Sequence, residues 1–172
     1  MIFATVGTHE DPFDRLVGEL DRLVGVKEVE GPAHIQTGYA TVVPAHCTHE
    51  KMMGFEAVQA AIATAKVVIT HGGPASIMQA LALGKVPIVV PRQARFGEHV
   101  DDHQCRFAAR VSERVIVILD IAQLGPTIRE YDRFVAGLGP NVGGPDRARA
   151  FAQKLDGLCR SLLPPRAMVG SR

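Results

Sequence analysis

The chain has 172 residues, 47% of them hydrophobic, and a net charge of +1. That is enough for one domain with a sizeable core and too little for two large ones, and the balanced charge argues against a nucleic-acid protein, which carries a basic surplus. Cys47, Cys105 and Cys159 stand in no paired spacing, which fits reduced thiols in a cytosolic setting. The opening "MIFATVGTHE" is apolar too briefly for a signal peptide and lacks a basic leader. No apolar run approaches the roughly 20 residues of a membrane span.

Short β-branched runs alternate with helical patterns along the chain. Residues 2–6 form the first predicted strand. In "HEDPFDRLVGELDRLV" that follows, Phe13, Leu16, Val17, Leu20 and Leu23 fall on one helical face. Residues 34–36 and 39–43 are weaker strand candidates. A helix over 58–65 leads into a strand at 67–70. Residues 75–83 read as a helix, 86–90 as a strand, 100–111 as a helix, 115–119 as a strand and 123–135 as a helix. Strands apolar throughout, alternating with helices, imply an α/β fold: a Rossmann-like parallel sheet with helices on both faces. That domain is expected over residues 1–136. The glycine-rich stretch 137–145 reads as a flexible linker, 146–163 as a last helix and 164–172 as a disordered tail. In the last helix Ala148, Phe151, Leu155, Leu158 and Leu162 form one apolar stripe. It suits packing on the sheet or engagement of a partner better than a lipid surface.

Ligands of such sheets bind outside the carboxyl ends of the strands. Three loops expected at that edge are rich in polar residues: "GTHEDP", "HGGPAS" and "RQARFGEHVDDHQ". In "THGGPASIMQAL", His71 precedes Gly72 and Gly73, which let the backbone approach a ligand. Pro74 suits a first helical turn, and the free N–H groups of that turn make an anion site. Ser76 adds a hydroxyl, and Gln79, one turn on, can hydrogen-bond a sugar. Ile77, Met78, Leu81 and Leu83 are expected to be buried, and Gly84 to end the helix. An ordinary strand-to-helix turn explains the same spacing.

In "GTHEDPFDRL", Gly7 and Thr8 offer a second phosphate-facing turn. Asp11 reads as a helix N-cap with Pro12 at the first helical position, which leaves His9 and Glu10 without a structural role. His99 and His103 have the i, i+4 spacing that places two imidazoles on one helix face, so zinc is conceivable, but no third ligand is obvious. A polar helix start that binds a sugar through Asp102, His103 and Gln104 is the better reading. His46, Cys47 and His49 are expected in an exposed loop. The serine elbow, the dinucleotide fingerprint and the Walker lysine motif are all absent.

Together, "MIFATVGTHEDPFDRLV", "ITHGGPASIMQALALGKVPIVVPR" and "FGEHVDDHQ" resemble the donor-binding, C-terminal half of GT-B glycosyltransferases grouped with the peptidoglycan lipid II-forming GlcNAc transferase. Small split enzymes of dolichol-linked and exopolysaccharide or capsule synthesis are similar. The likeness runs collinearly from Met1 to about Leu119. It implies an inverting glycosyltransferase, a hexosyltransferase using a UDP-sugar donor and a polyprenyl-diphosphate-linked acceptor. It also implies a membrane-associated partner subunit with the acceptor site, hence a heterodimer. The expected location is the cytoplasm, with recruitment to the membrane face through the partner.

By the same resemblance Gly72, Gly73, Ala75 and Ser76 would hold the diphosphate, bordered by Gly7, Thr8, His9 and His71. Gln79 would bind the ribose, and Asp102, His103 and Gln104 the donor sugar. Relatives usually carry glutamate where this chain has Gln79, and often glycine where it has Ala75. Arg92 and Arg95 are candidates for a sugar carboxylate. His9 is the one general-base candidate from this chain. Neither a cofactor nor a metal is expected, since backbone N–H groups and a helix dipole can stabilise departing UDP. A non-catalytic nucleotide-sugar-binding module and, less favoured, a small metal-dependent hydrolase are the rival readings.

Overall fold

The structure is a computed structural model and is described for residues 1–138. Strands β1 (Ile2–Thr5), β2 (Ala33–Gln36), β3 (Thr48–Glu50), β4 (Val67–His71), β5 (Ile88–Val90) and β6 (Ile116–Val117) form one sheet in the order β3-β2-β1-β4-β5-β6. Every pairing is parallel. The helices are α1 (Asp14–Gly25), α2 (Phe55–Thr64), α3 (Pro74–Ala82), α4 (His103–Arg110), α5 (Leu124–Arg129) and α6 (Tyr131–Gly137). The expected α/β architecture is therefore present. The order reverses between β1 and β4, the switch point where a doubly wound sheet opens a crevice for ligands.

Alternation along the strands sends side chains to two cores. Ile2, Ala4, Val6 and Ile69 pack with Phe13, Leu16, Val17, Leu20 and Leu23 of the α1 region and with Leu124, Ile128 and Tyr131. Phe3 and Val68 pack on the opposite face with Ile62, Ala65 and Ala80. Ile77, Leu81, Val89 and Ala108 continue that second layer. A sheet covered on both faces explains why its central strands read as unbroken apolar runs.

Several boundaries differ from the sequence reading, each for a local reason. The strand expected at 39–43 is a loop, because the Asp14 carboxylate accepts hydrogen bonds from the Thr41 and Val42 N–H groups at 2.7 and 3.1 Å. The edge strand instead is β3, so "HCTHE" is not simply an exposed loop. Cys47 within it is buried. The Asp21 carboxylate accepts from the backbone N–H groups of Ala45, His46 and Cys47. Burial works against that charge, but these bonds hold the Asp21 pKa below the usual range. The helix expected at 123–135 divides at Glu130, which aims the Tyr131 hydroxyl at the Val86 carbonyl, 2.7 Å away. Gly137, the first residue of the linker expected over 137–145, belongs to α6. Residues 139–145 of that stretch, the helix expected at 146–163 and the tail expected at 164–172 lie outside the described residues.

Helix α1 starts at Asp14, not at Pro12, and Asp11 is not its cap. Arg92 is the cause. It is fully buried, and its guanidinium donates to the carbonyls of Asp11 (2.7 Å), Pro12 (3.4 Å), Glu98 (3.1 Å) and Val6 (3.0 Å). Residues 6–12 are thereby drawn out over the end of the sheet. Beside Arg92, Arg15 pairs with Glu98 through two bonds of 2.7 and 2.8 Å, and Glu98 also accepts from the Gln93 N–H at 2.9 Å.

Replacing Arg92 with methionine keeps much of the volume but leaves those carbonyls unpaired in the interior. Urea denaturation should show a loss on the order of 3 kcal/mol or more. A loss below about 1 kcal/mol would mean that water or a local shift satisfies the carbonyls equally well.

Candidate functional site

The carboxyl ends of β1, β4 and β5 bring three loops together: residues 6–13, 72–73 and 91–102. They are the loops whose composition singled them out. Their joint geometry rests on close backbone approach. A Cβ on Gly73 would lie 2.3 Å from His71 Nε2, and one on Gly7 would lie 2.5 Å from His71 Cε1. Gly7 also has φ +75°, in the left-handed region. The imidazole of His71 is thus wedged between two glycine turns. A Cβ on Gly72 would meet Gln104 Cβ at 2.7 Å and Pro91 Cβ at 2.8 Å. The glycines are set by packing against protein atoms as well as by any ligand approach.

Helix α3 begins with Gly73 as N-cap and Pro74 at the first position, and no side chain caps it. Its first intrahelical donor is Ile77, bonded to the Gly73 carbonyl at 3.2 Å. The N–H groups of Ala75 and Ser76 therefore have no intrahelical acceptor, and they point out at the positive end of the helix. Ser76 is half-buried beside them. One turn further, Gln79 Nε2 is buried with no hydrogen-bond partner among the described residues. The far end closes as expected: Gly84 has φ +73°, and the Lys85 and Gly84 N–H groups bond the Ala80 and Leu81 carbonyls. Met78 departs from expectation. It is 47% exposed, because it lies on the side of α3 away from both apolar layers.

Residues expected to touch the sugar, and Thr8 expected beside the diphosphate, are held differently. Arg92 cannot reach a ligand: it has no exposed surface and spends its donors on backbone carbonyls. Gln104 is also buried, and its Oε1 accepts from the Arg92 N–H at 3.2 Å. Asp102 is exposed and accepts from the Ala94 N–H at 2.9 Å. Thr8 is exposed and Arg95 stacks over Phe96.

His9 and His103 meet through His99. The rings of His9 and His99 lie 4.4 Å apart edge to face, as do those of His99 and His103. The two β5-loop histidines do not share a helix face, since α4 begins only at His103; Gly97, with φ +68°, turns the chain before it. Burial first, then the neighbouring His103, lowers the His99 pKa. His9 Nδ1 accepts from the Asp11 N–H at 3.1 Å, and the Asp11 carboxylate lies 3.7 Å from the same nitrogen. The sequence reading missed Asp101. Its carboxylate takes the His103 N–H at 3.0 Å, His103 Nδ1 at 2.6 Å and Arg106 Nη2 at 3.0 Å. The hydrogen bonds from His103 bring its pKa down to about 2. The alternation His99-x-Asp101-x-His103 was the available signal. Also unforeseen is a shallow apolar depression at the carboxyl end of β2, lined by Thr37, Gly38, Val42, Val43 and Lys51.

A parallel sheet of this order, with a bare helix N-terminus at its switch point, is Rossmann-like, the fold of the C-terminal half of GT-B glycosyltransferases. The chain belongs to the glycosyltransferase family 28 C-terminal domain family, whose model matches residues 1–131. Among solved structures, the glycotransferase of kitacinnamycin is similar at a TM-score of 0.56 and 17% identity, over 95% of this chain and 43% of that one. The glycosyltransferase SnogD from Streptomyces nogalater matches at 0.45 and 19%, over 90% and 43%. CalG4, the calicheamicin glycosyltransferase, matches at 0.48 and 14%, over 95% and 44%. The chain thus spans less than half the length of these structures. No functionally curated protein matches it.

His71 makes the turns sensitive to acid. Burial, then the charge of Arg92, lowers its pKa from 6.5 to about 4. Between those values the unfolded chain takes up a proton that the native site refuses. The stabilisation is complete above pH 6.5 and is lost as pH falls toward 4. Its size is on the order of 3 kcal/mol. Thermal melts across this window should fall less steeply for His71→Asn than for the natural chain. Parallel curves would remove His71 as the titrating group.

Proposed function

We propose that this chain is the donor-binding, catalytic subunit of an inverting glycosyltransferase. It takes a hexose from a UDP-sugar and transfers it to a polyprenyl-diphosphate-linked glycan acceptor, as in exopolysaccharide synthesis. The observation that carries the reading is the uncapped start of α3 at the switch point. The N–H groups of Ala75 and Ser76 lack intrahelical acceptors there, and the buried Gln79 Nε2 has no partner among the described residues one turn on. Family membership supports transfer chemistry. In this reading the diphosphate lies on Gly72, Gly73, Ala75 and Ser76, and Gln79 binds the ribose through its side-chain amide. His103 and Asp102 stand on the donor-sugar side.

The acceptor hydroxyl attacks the anomeric carbon, and the bond to the β-phosphate oxygen breaks. Negative charge gathers on the departing UDP, where the fixed N–H groups and helix dipole stabilise it without a divalent cation. The base is His9. Its Nδ1 now accepts from the Asp11 N–H, which leaves Nε2 protonated. To act as base the ring takes the other tautomer: Nε2 loses its proton to solvent and Nδ1 gains one from solvent. A small rotation then lets Nδ1–H donate to the Asp11 carboxylate, at present 3.7 Å away, which leaves the lone pair on Nε2, the atom that would take the acceptor proton. The acceptor-holding half comes from a membrane-associated partner subunit, which brings this chain to the cytoplasmic membrane face.

Calorimetry with UDP and chelator should show binding by this chain alone. Ser76→Ala should weaken it by about 10- to 150-fold, the equivalent of about 1.5–3 kcal/mol. Gln79→Glu should leave the melt unchanged and keep or tighten the affinity for UDP. Turnover should appear only when the acceptor subunit is added. UDP binding without turnover under that condition would mark a non-catalytic module, and a divalent-metal requirement for UDP binding would reject the anion site described here.

A further inference from the structure

One group at the edge of the site has no place in the transfer chemistry. His99 Nδ1 is buried, its side chain 9% exposed, and it has no hydrogen-bond partner among the described residues. The nearest carboxylate oxygen, Asp101 Oδ1, is 3.9 Å away, too far for a hydrogen bond. The same oxygen is 2.6 Å from His103 Nδ1. One nitrogen from each histidine and one carboxylate oxygen all lie within 4.8 Å of one another. Hydrogen bonding accounts for His103 and Asp101 and leaves His99 unexplained. Buried polar atoms in native proteins are almost always satisfied.

We propose that His99, Asp101 and His103 form a site for a divalent transition metal of the zinc class, bound through one nitrogen of each imidazole and one oxygen of Asp101. Two neutral imidazoles and a carboxylate are a borderline-soft donor set, suited to Zn²⁺ or Co²⁺ and poor for Mg²⁺ or Ca²⁺. Ligand atoms around a tetrahedral zinc stand roughly 3.3 Å apart. The present separations from Asp101 Oδ1, 2.6 and 3.9 Å, fall on either side of that value, and no two of the three ligand atoms are more than 4.8 Å apart, so side-chain rotations without backbone movement would close the set. The other Asp101 oxygen is already held by Arg106 at 3.0 Å, which fixes the carboxylate as an outer-shell partner would. Three protein ligands leave a fourth position for water. A metal there ties the turn before α4 to the first residue of that helix. This role lies beyond the sugar-transfer reading, which uses no metal and shares only His103 with it.

The test uses the full chain, without a histidine tag, freed of metal by chelation and titrated with Co²⁺ alone. One equivalent should bind, with the visible bands of low-coordinate Co²⁺ and a rise in Tm; Zn²⁺ should displace it. His99→Gln, Asp101→Asn and His103→Gln should each weaken binding by at least about tenfold. The pair His46→Gln with His49→Gln should not change it. Should a variant misfold, NMR of the natural chain serves instead: Zn²⁺ should shift the ring nitrogens of His99 and His103 and spare those of His46. Absence of Co²⁺ binding at millimolar concentrations, binding undiminished in the three variants, or binding lost with His46 and His49 would each overturn the proposal. UDP binding measured in chelator is independent of all these outcomes.

Discussion

The buried guanidinium of Arg92 is the constraint on which the site geometry depends. It stands just after β5, on the far side of β4 from β1, yet it bonds the carbonyls of Val6, Asp11 and Pro12. Without such a clamp the segment between β1 and α1 would be free to extend the helix back toward Pro12, as its Asp-Pro sequence invites. With it, the segment crosses the switch point as an irregular strap. That position puts Gly7 against His71 and His9 against His99. Arginine suits the task because its planar fork satisfies several carbonyls at once and its flat face covers the Phe13 ring, 4.8 Å from the centroid. The Arg15–Glu98 pair braces the same junction from α1 and the β5 loop.

The glycines and His71 form a second level of the same design. A glycine beside a helix start is usually read as room for a phosphate. Here Gly7 and Gly73 also make room for the imidazole behind them, and either purpose alone would select glycine. The ring separates the two turns at a fixed distance, so the backbone N–H groups of α3 and the strap after β1 keep their relative position. Neutrality of the ring matters to this packing. A proton on His71 would set a second buried cation beside Arg92 with no carboxylate bonded to it, and burial and that charge are the forces that keep it off.

The sheet was legible in the sequence because both of its faces are buried. Ile2, Phe3 and Ala4, or Val67, Val68 and Ile69, cannot alternate with polar residues when every side chain meets a helix layer. The start of α3 was legible for a similarly local reason: glycine, glycine and proline each answer to one backbone position. The parts that were not legible depend on long-range partners. A strand of exposed residues such as Thr48, His49 and Glu50 carries no apolar signal, and the Asp14 bonds that turn Thr41 and Val42 into a loop span 27 and 28 residues. Arg92 was read as a surface cation facing a ligand. Nothing near it in the chain reveals that three of its four carbonyl partners lie 80 or more residues earlier. Asp101 was hidden among the other polar residues of its loop until the fold set it between two imidazoles.

Electrostatics at the start of α3 follow from the same buried cluster. Arg92 and Arg15 contribute two positive charges, and Glu98, which is paired with Arg15, contributes one negative charge. Among these buried groups the sum is one positive charge, with the partly exposed Asp11 carboxylate in the loop above. Because Arg92 lies in a low-dielectric interior, its field is screened far less than that of a surface cation. The field reaches His71, whose ring contacts the cap residue of α3. A negatively charged group on Ala75 and Ser76 would therefore feel both the helix dipole and a fixed charge that never touches it. That arrangement separates two duties that a surface arginine would combine. Contact and geometry belong to N–H groups on rigid backbone, and net charge belongs to a residue whose position is fixed by carbonyls. A clamp whose Nη groups are already held by protein carbonyls costs no reorganisation when charge develops on a leaving group, which is the condition under which fixed dipoles and charges stabilise it best.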